Sequence, residues 1–259
     1  MNIGTEEDWW KTLFDEVYLL TDARSVGDEE ITRKETDVIC ELLAPGPADR
    51  ILDLCGGDGR HCRQLSARGF RSCTVLDYSR TLLSRGRKAS GEQDLSLAFI
   101  QADARYTALM TSVFDHVLIM GNSLGYLPDE SGDIEILREA FRVLRPGGTI
   151  LLDVADGSSA RERLNPRAWH EIGEDILVCR NRILRGNSIH TREVVLSRKR
   201  GLVRDRSYTI RLYGPEKLGS LVGRVGFTRI ETRNGFSPHG KSGDYGFMND
   251  RILLTARKP

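Results

Sequence analysis

No stretch of this chain is apolar for long enough to span a bilayer. Met1 to Asp8 are acidic and polar and lack the apolar core of a secretion signal, so a cytoplasmic location with no membrane partner is expected. An excess of one charge is absent as well. The 38 Lys and Arg against 37 Asp and Glu leave a formal net charge of +1, which removes any global pull toward nucleic acid or an anionic membrane. Cysteines are sparse: Cys40, Cys55, Cys62, Cys73 and Cys179 are scattered and odd in number. Cys55 and Cys62 lack zinc-finger spacing and no second pair supports them, so no metal is expected and reduced thiols are the simplest reading. Internal repeats and low-complexity tracts are missing too. What is there is an ordinary globular composition, 39% hydrophobic and 29% charged. Its 259 residues suffice for one large α/β domain with an insertion or for two small domains.

Along the chain, helical and extended patterns alternate. Trp9, Trp10, Leu13, Phe14, Val17 and Tyr18 recur at helical spacing, which predicts one helix over 9–21. A second helix is predicted over 32–43, stopped by Pro45-Gly46-Pro47. Apolar strands at 51–54, 72–76, 96–100, 114–120 and 149–154 follow, separated by helices at 60–68, 79–88 and 134–143. Such alternation implies right-handed βαβ units and a parallel sheet. The period changes after Asp156. Extended segments at 176–184, 188–196 and 202–213, with Arg185-Gly186-Asn187 and Arg200-Gly201 as turns, predict an inserted antiparallel sheet. A helix over 215–225 has Pro215 in its first turn and Gly226 past its end. Segments at 227–233 and 251–257 suit a terminal hairpin at the sheet edge.

The most informative stretch is Ile51-Leu52-Asp53-Leu54-Cys55-Gly56-Gly57-Asp58-Gly59. A hydrophobic strand there runs into a glycine turn that lets backbone come close to a ligand, and a helix follows. That sequence of elements is the entry of a nucleotide-binding α/β unit. Asp77 ends the second strand, where a carboxylate can accept two hydrogen bonds from a ribose diol. Asp103 and Ala104 follow the third strand; an Asp there can accept from an adenine amino group, and the next N–H can donate to a ring nitrogen. The fourth strand empties into Gly121-Asn122-Ser123-Leu124-Gly125-Tyr126. All of these lie at carboxyl ends of strands, where open α/β sheets bind ligands.

In order and spacing, these pieces resemble a class I S-adenosylmethionine-dependent methyltransferase. The resemblance rests on Asp53-Leu54-Cys55-Gly56-Gly57-Asp58-Gly59, Leu76-Asp77, Gln101-Ala102-Asp103-Ala104-Arg105, Phe114-Asp115 and Val143-Leu144-Arg145-Pro146-Gly147-Gly148. It covers about residues 30–156 and, less strongly, the C-terminal third. Cys55 stands where the family has its first glycine, and a small cysteine should fit. The resemblance implies a doubly wound, seven-stranded Rossmann-like sheet with its last strand antiparallel. It implies S-adenosylmethionine as cofactor and S-adenosylhomocysteine as product. Asp53, Cys55, Gly56, Gly57, Gly59, Asp77, Tyr78, Asp103, Ala104 and Gly121 would then face the cofactor. The insert resembles the subgroup that modifies small molecules, where it covers the pocket or builds a dimer contact, so a homodimer is one expectation. Tyr18, Asn122, Ser123 and Tyr126 would face the substrate. The chain would divide into a helical lid (1–47), a cofactor-binding core (48–156), the antiparallel insert (157–213) and a C-terminal helix with terminal strands (214–259).

Plainer readings stand beside these. Asp77 can instead cap the next helix, Asp103 can be a turn residue, and Asp53 can act through backbone and indirect contacts. His61 and Arg60 are expected at the helix start, capping or facing solvent, with a place near the methionine carboxylate as the lesser reading. Asn122 and Ser123 can merely shape their turn. Trp10, Phe14 and Tyr18 can be core at this spacing. From Arg180 to Arg211 the insert carries ten Lys and Arg opposed by Glu193 and Asp205. That reads as a solvated face, as a roof for an acidic substrate formed by Arg182, Arg192, Arg204 and Arg211, or as an RNA contact. Neither an Asp/Asn-Pro-Pro-Tyr motif for exocyclic base amines nor a Pro-Cys pair for pyrimidines is present, which argues against nucleic acid. O- or N-methylation of a small molecule remains, without an identifiable catalytic base. The alternatives are an RNA or protein methyltransferase and a non-catalytic binding module. A nicotinamide enzyme would need Gly-x-Gly-x-x-Gly, and Cys62 occupies the third glycine's place.

Overall fold

The computed structural model describes residues 4–21, 27–239 and 248–259. Two short helices come first, α1 (Trp10–Leu13) and α2 (Glu16–Thr21), where the periodicity predicts one helix. The break has a physical cause. Asp15 Oδ1 accepts the Val17 and Tyr18 N–H groups at 2.9 and 3.1 Å, so its side chain caps a new helix and the old one stops. The apolar spacing survives the break, which is why it reads as continuous. Helix α3 (Glu29–Leu43) starts earlier than the apolar pattern, because Asp28 caps it through Glu30 N and Ile31 N.

The core then alternates β1 (Arg50–Leu54), α4 (Arg60–Ala67), β2 (Ser72–Asp77), α5 (Arg80–Glu92), β3 (Ala98–Gln101), β4 (Phe114–Ile119), α6 (Glu130–Val143) and β5 (Leu144–Ala155). Helix α7 (Gly157–Glu162) and strand β6 (Arg167–Ile172) follow, neither of them predicted from the sequence. β6 alternates between exposed and half-buried residues, so it lacks the apolar run that betrays a strand. β7 (Ile176–Arg185), β8 (Ser188–Ser197), β9 (Gly201–Arg211), α8 (Pro215–Val225), β10 (Thr228–Phe236) and β11 (Arg251–Arg257) complete the order.

The main sheet has seven strands in the order β10-β11-β5-β4-β1-β2-β3. Neighbours from β5 to β3 run parallel, whereas β11 is antiparallel to β5 and to β10. The fold is therefore doubly wound and Rossmann-like, with the last strand reversed. The chain moves outward from β1 to β3 and then returns to the other side of β1, so β1 and β4 flank a switch point. Apolar residues fill both faces. Leu52, Leu54, Val117 and Ile119 pack with α6 and α8 on one side, and Ile51, Leu118 and Leu151 pack with α3 and α4 on the other. Strand alternation puts Asp53 on the Ile51 side, under those two helices.

The second sheet is antiparallel, in the order β6-β7-β8-β9. Its inner face holds the N-terminal helices: Trp9 and Leu13 cluster with Tyr208 and Ile210, and Val17 and Leu20 pack against Ile176, Val178 and Val195.

Close approach of α5 to the sheet gives a test. A Cβ on Gly86 would lie 2.3 Å from Asp58 O and 2.6 Å from Phe99 Cε1, whereas one on Gly91 of the same helix would meet nothing within 4 Å. Alanine favours a helix over glycine by about 1 kcal/mol, and a buried clash costs about 1–3 kcal/mol or more. Gly91→Ala should therefore raise the Tm by about 1–3 °C, and Gly86→Ala should lower it by several degrees. Equal shifts in a thermal melt would refute the packing.

Candidate active site

The turn after β1 is built from left-handed residues: Cys55, Gly57 and Gly59 have φ of 62°, 59° and 72°. Two positions exclude a side chain for different reasons. A Cβ on Gly56 would fall 2.6 Å from the Asp53 carboxyl carbon, and one on Gly59 would fall 2.8 Å from Val75 Cγ2. Cys55 fits by size, but it adopts a backbone conformation that costs an L-residue about 1–3 kcal/mol. Burial, reinforced by Asp77 and Asp53, pushes its thiol well above the ordinary range, so it is no nucleophile at neutral pH.

Asp77 sits across from this turn. Its Oδ2 accepts from Gly57 N at 2.8 Å and its Oδ1 from Ser79 N at 2.8 Å. The cap of α5 is Ser79, whose Oγ accepts from Leu82 N at 3.1 Å. The helix-cap role therefore belongs to Ser79. Burial outweighs these bonds and pushes the Asp77 carboxyl up to about 6. Asp103 is gripped by Arg105 through contacts of 2.7 and 3.0 Å. Burial opposes its ionisation, but Arg105 holds the carboxyl below its ordinary value. Arg105 in turn lies 5.3 Å from the Trp10 ring centre.

These groups open onto a cleft at the switch point, where open α/β sheets bind their ligands. Tyr18, Cys55, Gly57, Asp77, Tyr78, Asp103, Ala104, Gly121, Asn122, Ser123 and Tyr126 all border it. A second hollow of about 470 Å³ shares Gly57 and Gly121 and adds Asp53 and Gly56. Of the residues expected to face the cofactor or the substrate, Gly59 alone borders neither; it serves the turn by its backbone. Trp10 and Phe14 face the cleft rather than serving only as core, together with Leu82, Leu127 and Ile136. The last three were missed because an isolated apolar residue carries no mark of a pocket. Among the described residues, no three His, Cys, Asp or Glu side chains are grouped to hold a metal.

Behind the cleft lies a buried ionic network. His61 and Arg60 are expected to cap the helix or face solvent, or as the lesser reading to lie near a methionine carboxylate; both border the second hollow, and neither is free in solvent. His61 is buried, with Nε2 3.0 Å from Glu35 Oε2 and Nδ1 3.7 Å from Asp53, and Arg60 is paired with Glu35. Glu35 also meets Arg251 at 2.5 Å, and Arg251 meets Asp153 at 2.7 Å. Asp153 accepts from Gly121 N at 3.1 Å through its side chain and from Asn122 N at 2.8 Å through its carbonyl. Asn122 Oδ1 accepts from Ala155 N at 2.8 Å. The loop after β4 is thus held in its left-handed shape, with φ of 66° at Gly121 and 63° at Asn122. Burial alone would neutralise Glu35, yet Arg60, Arg251 and His61 hold its carboxyl well below the usual range. Burial and Arg60 press His61 down, but its proximity to Asp53 and Glu35 leaves it raised.

The arginine roof expected over the cleft is absent. Arg192 pairs with Asp205 at 2.6 Å, Arg211 with Asp133 at 2.6 Å and Arg180 with Glu193 at 2.8 Å. Arg204 bridges Glu193 and Asp15, and Arg182 donates to Asn165 O at 3.1 Å. None of the four borders the cleft.

Residues 51–148 match the family described as methyltransferase domain. Over that span the chain is similar to a methyltransferase domain. The domain is similar to the putative methyltransferase YqeM of Bacillus subtilis, 35% identical over 128 residues, 49% of this chain and 51% of that protein. It is also similar to the ubiquinone/menaquinone biosynthesis C-methyltransferase UbiE of Ruegeria sp., 33% identical over 137 residues, 52% of each. The chain spans about half the length of these curated relatives. The fold extends the likeness beyond the domain. An S-adenosylmethionine-dependent methyltransferase from Clostridium acetobutylicum superposes with a TM-score of 0.73 at 15% identity, over 93% of this chain and 96% of that one. The sugar N-methyltransferase KedS8 from Streptoalloteichus sp. gives 0.69 at 19%, over 100% and 98%.

The buried ionic network makes a stability prediction. Removing one partner of a buried pair strands the other charge, at a cost of about 3–5 kcal/mol. Arg251→Met should show that loss in denaturant unfolding. Arg192→Ala, which breaks an exposed pair, should barely move the midpoint. Similar midpoints for both variants would mean that Arg251 is not the counter-charge described.

Proposed function

We propose that this chain transfers a methyl group from S-adenosylmethionine to an oxygen or nitrogen atom of a small molecule. The observation that carries the reading is the convergence of Asp77, the Cys55–Gly57 turn and the Gly121–Ser123 loop on one cleft at the switch point. The residues fit the cofactor. A Cβ on Gly57 would meet only Leu82 Cδ1 at 3.5 Å, and one on Gly121 only Arg60 Nη2 at 3.7 Å, so the space that side chains would fill is left to a ligand. Asp77 would accept from the ribose hydroxyls, with Asp103 and Ala104 toward the adenine and Tyr78 across the mouth. When bound, the cofactor supplies a methyl group on a sulfonium, which departs as a neutral thioether. The protein's part is orientation and exclusion of water. Helices α1 and α2 would close over the cleft through Phe14 and Tyr18, and the loop from Asn122 to Tyr126 would position the acceptor. One relative is named for ubiquinone and menaquinone biosynthesis and one structural neighbour as a sugar N-methyltransferase, which supports a small molecule in this role.

Thermal shift tests the reading directly. S-adenosylhomocysteine at a hundred times its Kd should stabilise the protein by about 2.7 kcal/mol, and NAD should not. Stabilisation without transfer of labelled methyl to any acceptor would favour a non-catalytic binder. Asp77 adds a pH signature. Its carboxyl is raised to about 6, so the ionised form that accepts ribose hydroxyls is full at pH 8 and is lost as pH falls. If that form alone binds, affinity at pH 5 should be about tenfold weaker. Asp77→Asn should flatten this dependence and Asp77→Ala should weaken binding at least about tenfold. A wild-type Kd that stays level in calorimetry from pH 8 to 5 would remove Asp77 from the ribose.

A further inference from the structure

The acceptor end of the cleft has a definite chemistry. Its walls are rings: Phe14 lies 5.5 Å from Tyr126 and 5.0 Å from Tyr18, both edge-on. Trp9 braces Tyr126 from behind at 5.7 Å and is itself braced by Tyr208 of the insert at 5.9 Å. The insert therefore contributes aromatic support, while its arginines are spent on Glu193, Asp205, Asp15 and Asp133. Among the described residues, no lysine or arginine borders the main hollow, and the charged groups that do, Asp77 and Asp103, are acids. Arg60, in the adjoining hollow, is tied to Glu35. An anion would find no counter-charge here. A cation would face the cofactor's own positive sulfur, and a protonated amine has no lone pair to accept methyl.

One polar group in this wall is uncommitted. Asn122 is 2% exposed and borders the cleft. Its Oδ1 is occupied by Ala155 N at 2.8 Å, which fixes the orientation of the amide. Its Nδ2 has no partner although it is buried. A buried donor without a partner is costly, so such groups in a cleft are the ones a ligand satisfies.

We propose that the acceptor is a neutral molecule with a planar ring and a hydroxyl or carbonyl oxygen, its ring held by Phe14, Tyr18 and Tyr126 and its oxygen bonded by Asn122 Nδ2. This rests on the methyl-transfer reading of the same cleft. Apolar ring contact supplies the affinity, and the Asn122 amide fixes which edge of the ring faces the methyl donor.

The test uses the full chain saturated with S-adenosylhomocysteine and a matched series: 2-naphthol, 2-naphthoate, 2-naphthyl phosphate and 2-(aminomethyl)naphthalene. Calorimetry should show 2-naphthol binding at least about tenfold tighter than the charged members. Asn122→Asp keeps the acceptor toward Ala155 N and tolerates the left-handed backbone, but removes the donor. It should weaken 2-naphthol at least about fivefold and leave S-adenosylhomocysteine within about twofold. Phe14→Leu should act in the same direction. Equal or tighter binding of the naphthoate or the phosphate overturns the proposal. So does failure of 2-naphthol to bind while S-adenosylhomocysteine binds normally. Should Asn122→Asp not fold, the wild-type series decides alone. Loss of S-adenosylhomocysteine binding by the wild type would instead overturn the methyl-transfer reading itself.

Discussion

Arg251 is the charge on which the arrangement of the cleft depends. It is 1% exposed and stands between Glu35 and Asp153, both equally buried. Without it, two carboxylates would face an apolar interior with only Arg60 and His61 to balance them and Asp53. With it, α3 is fixed to β11, and β5 can present Asp153 to the backbone of Gly121 and Asn122. The left-handed loop beyond β4 thus owes its shape to an ion pair on the far side of the sheet. A buried ionic cluster is weak evidence for stability, because dehydration offsets much of the attraction. Its value here lies in geometry: Asp153 and Asn122 together admit one conformation of the cleft wall.

The second sheet works by a different logic. Several of its arginines neutralise Glu171, Glu193 and Asp205 of the insert, Asp15 before α2 and Asp133 of α6, and its apolar inner face grips α1 and α2. Electrostatics there serve assembly, and the rings carried over the cleft by the N-terminal helices are what the assembly positions. Helices held by the inserted sheet can change their side chains without altering the glycine turn after β1.

Much of this was legible from the residues. The strands of the core show as apolar runs, and Gly56, Gly57 and Asp77 can be placed because a tight turn and a strand-end carboxylate have local signatures. The helix over 9–21 misleads, because Asp15 caps in the middle of an unbroken apolar period. β6 escapes notice, because a strand exposed on its outer face needs no apolar run; its Trp169 is 69% exposed. The ionic network is invisible for another reason. Glu35 and Arg251 are 216 residues apart, and charge alone does not name a partner at that separation. The same limit misjudged the insert. Counting arginines between 180 and 211 gives a basic segment, but Asp15, Asp133 and Glu171, which answer several of them, lie outside the window.

The place of β11 in the sheet bears on how the chain acquires its structure. This strand lies between β10 and β5, so most of the seven-stranded order can assemble while a gap remains for it. It also carries the counter-charge for Glu35 and Asp153. Without β11 the sheet would have a gap between β10 and β5, and Glu35 and Asp153 would lack their shared counter-charge. Long-range pairing of this kind is slow to form and exposes strand edges meanwhile. The shape of the cleft wall is therefore tied to a pairing between strands far apart in the sequence, since Asp153, which holds the Gly121 N–H, is itself held by Arg251 of β11.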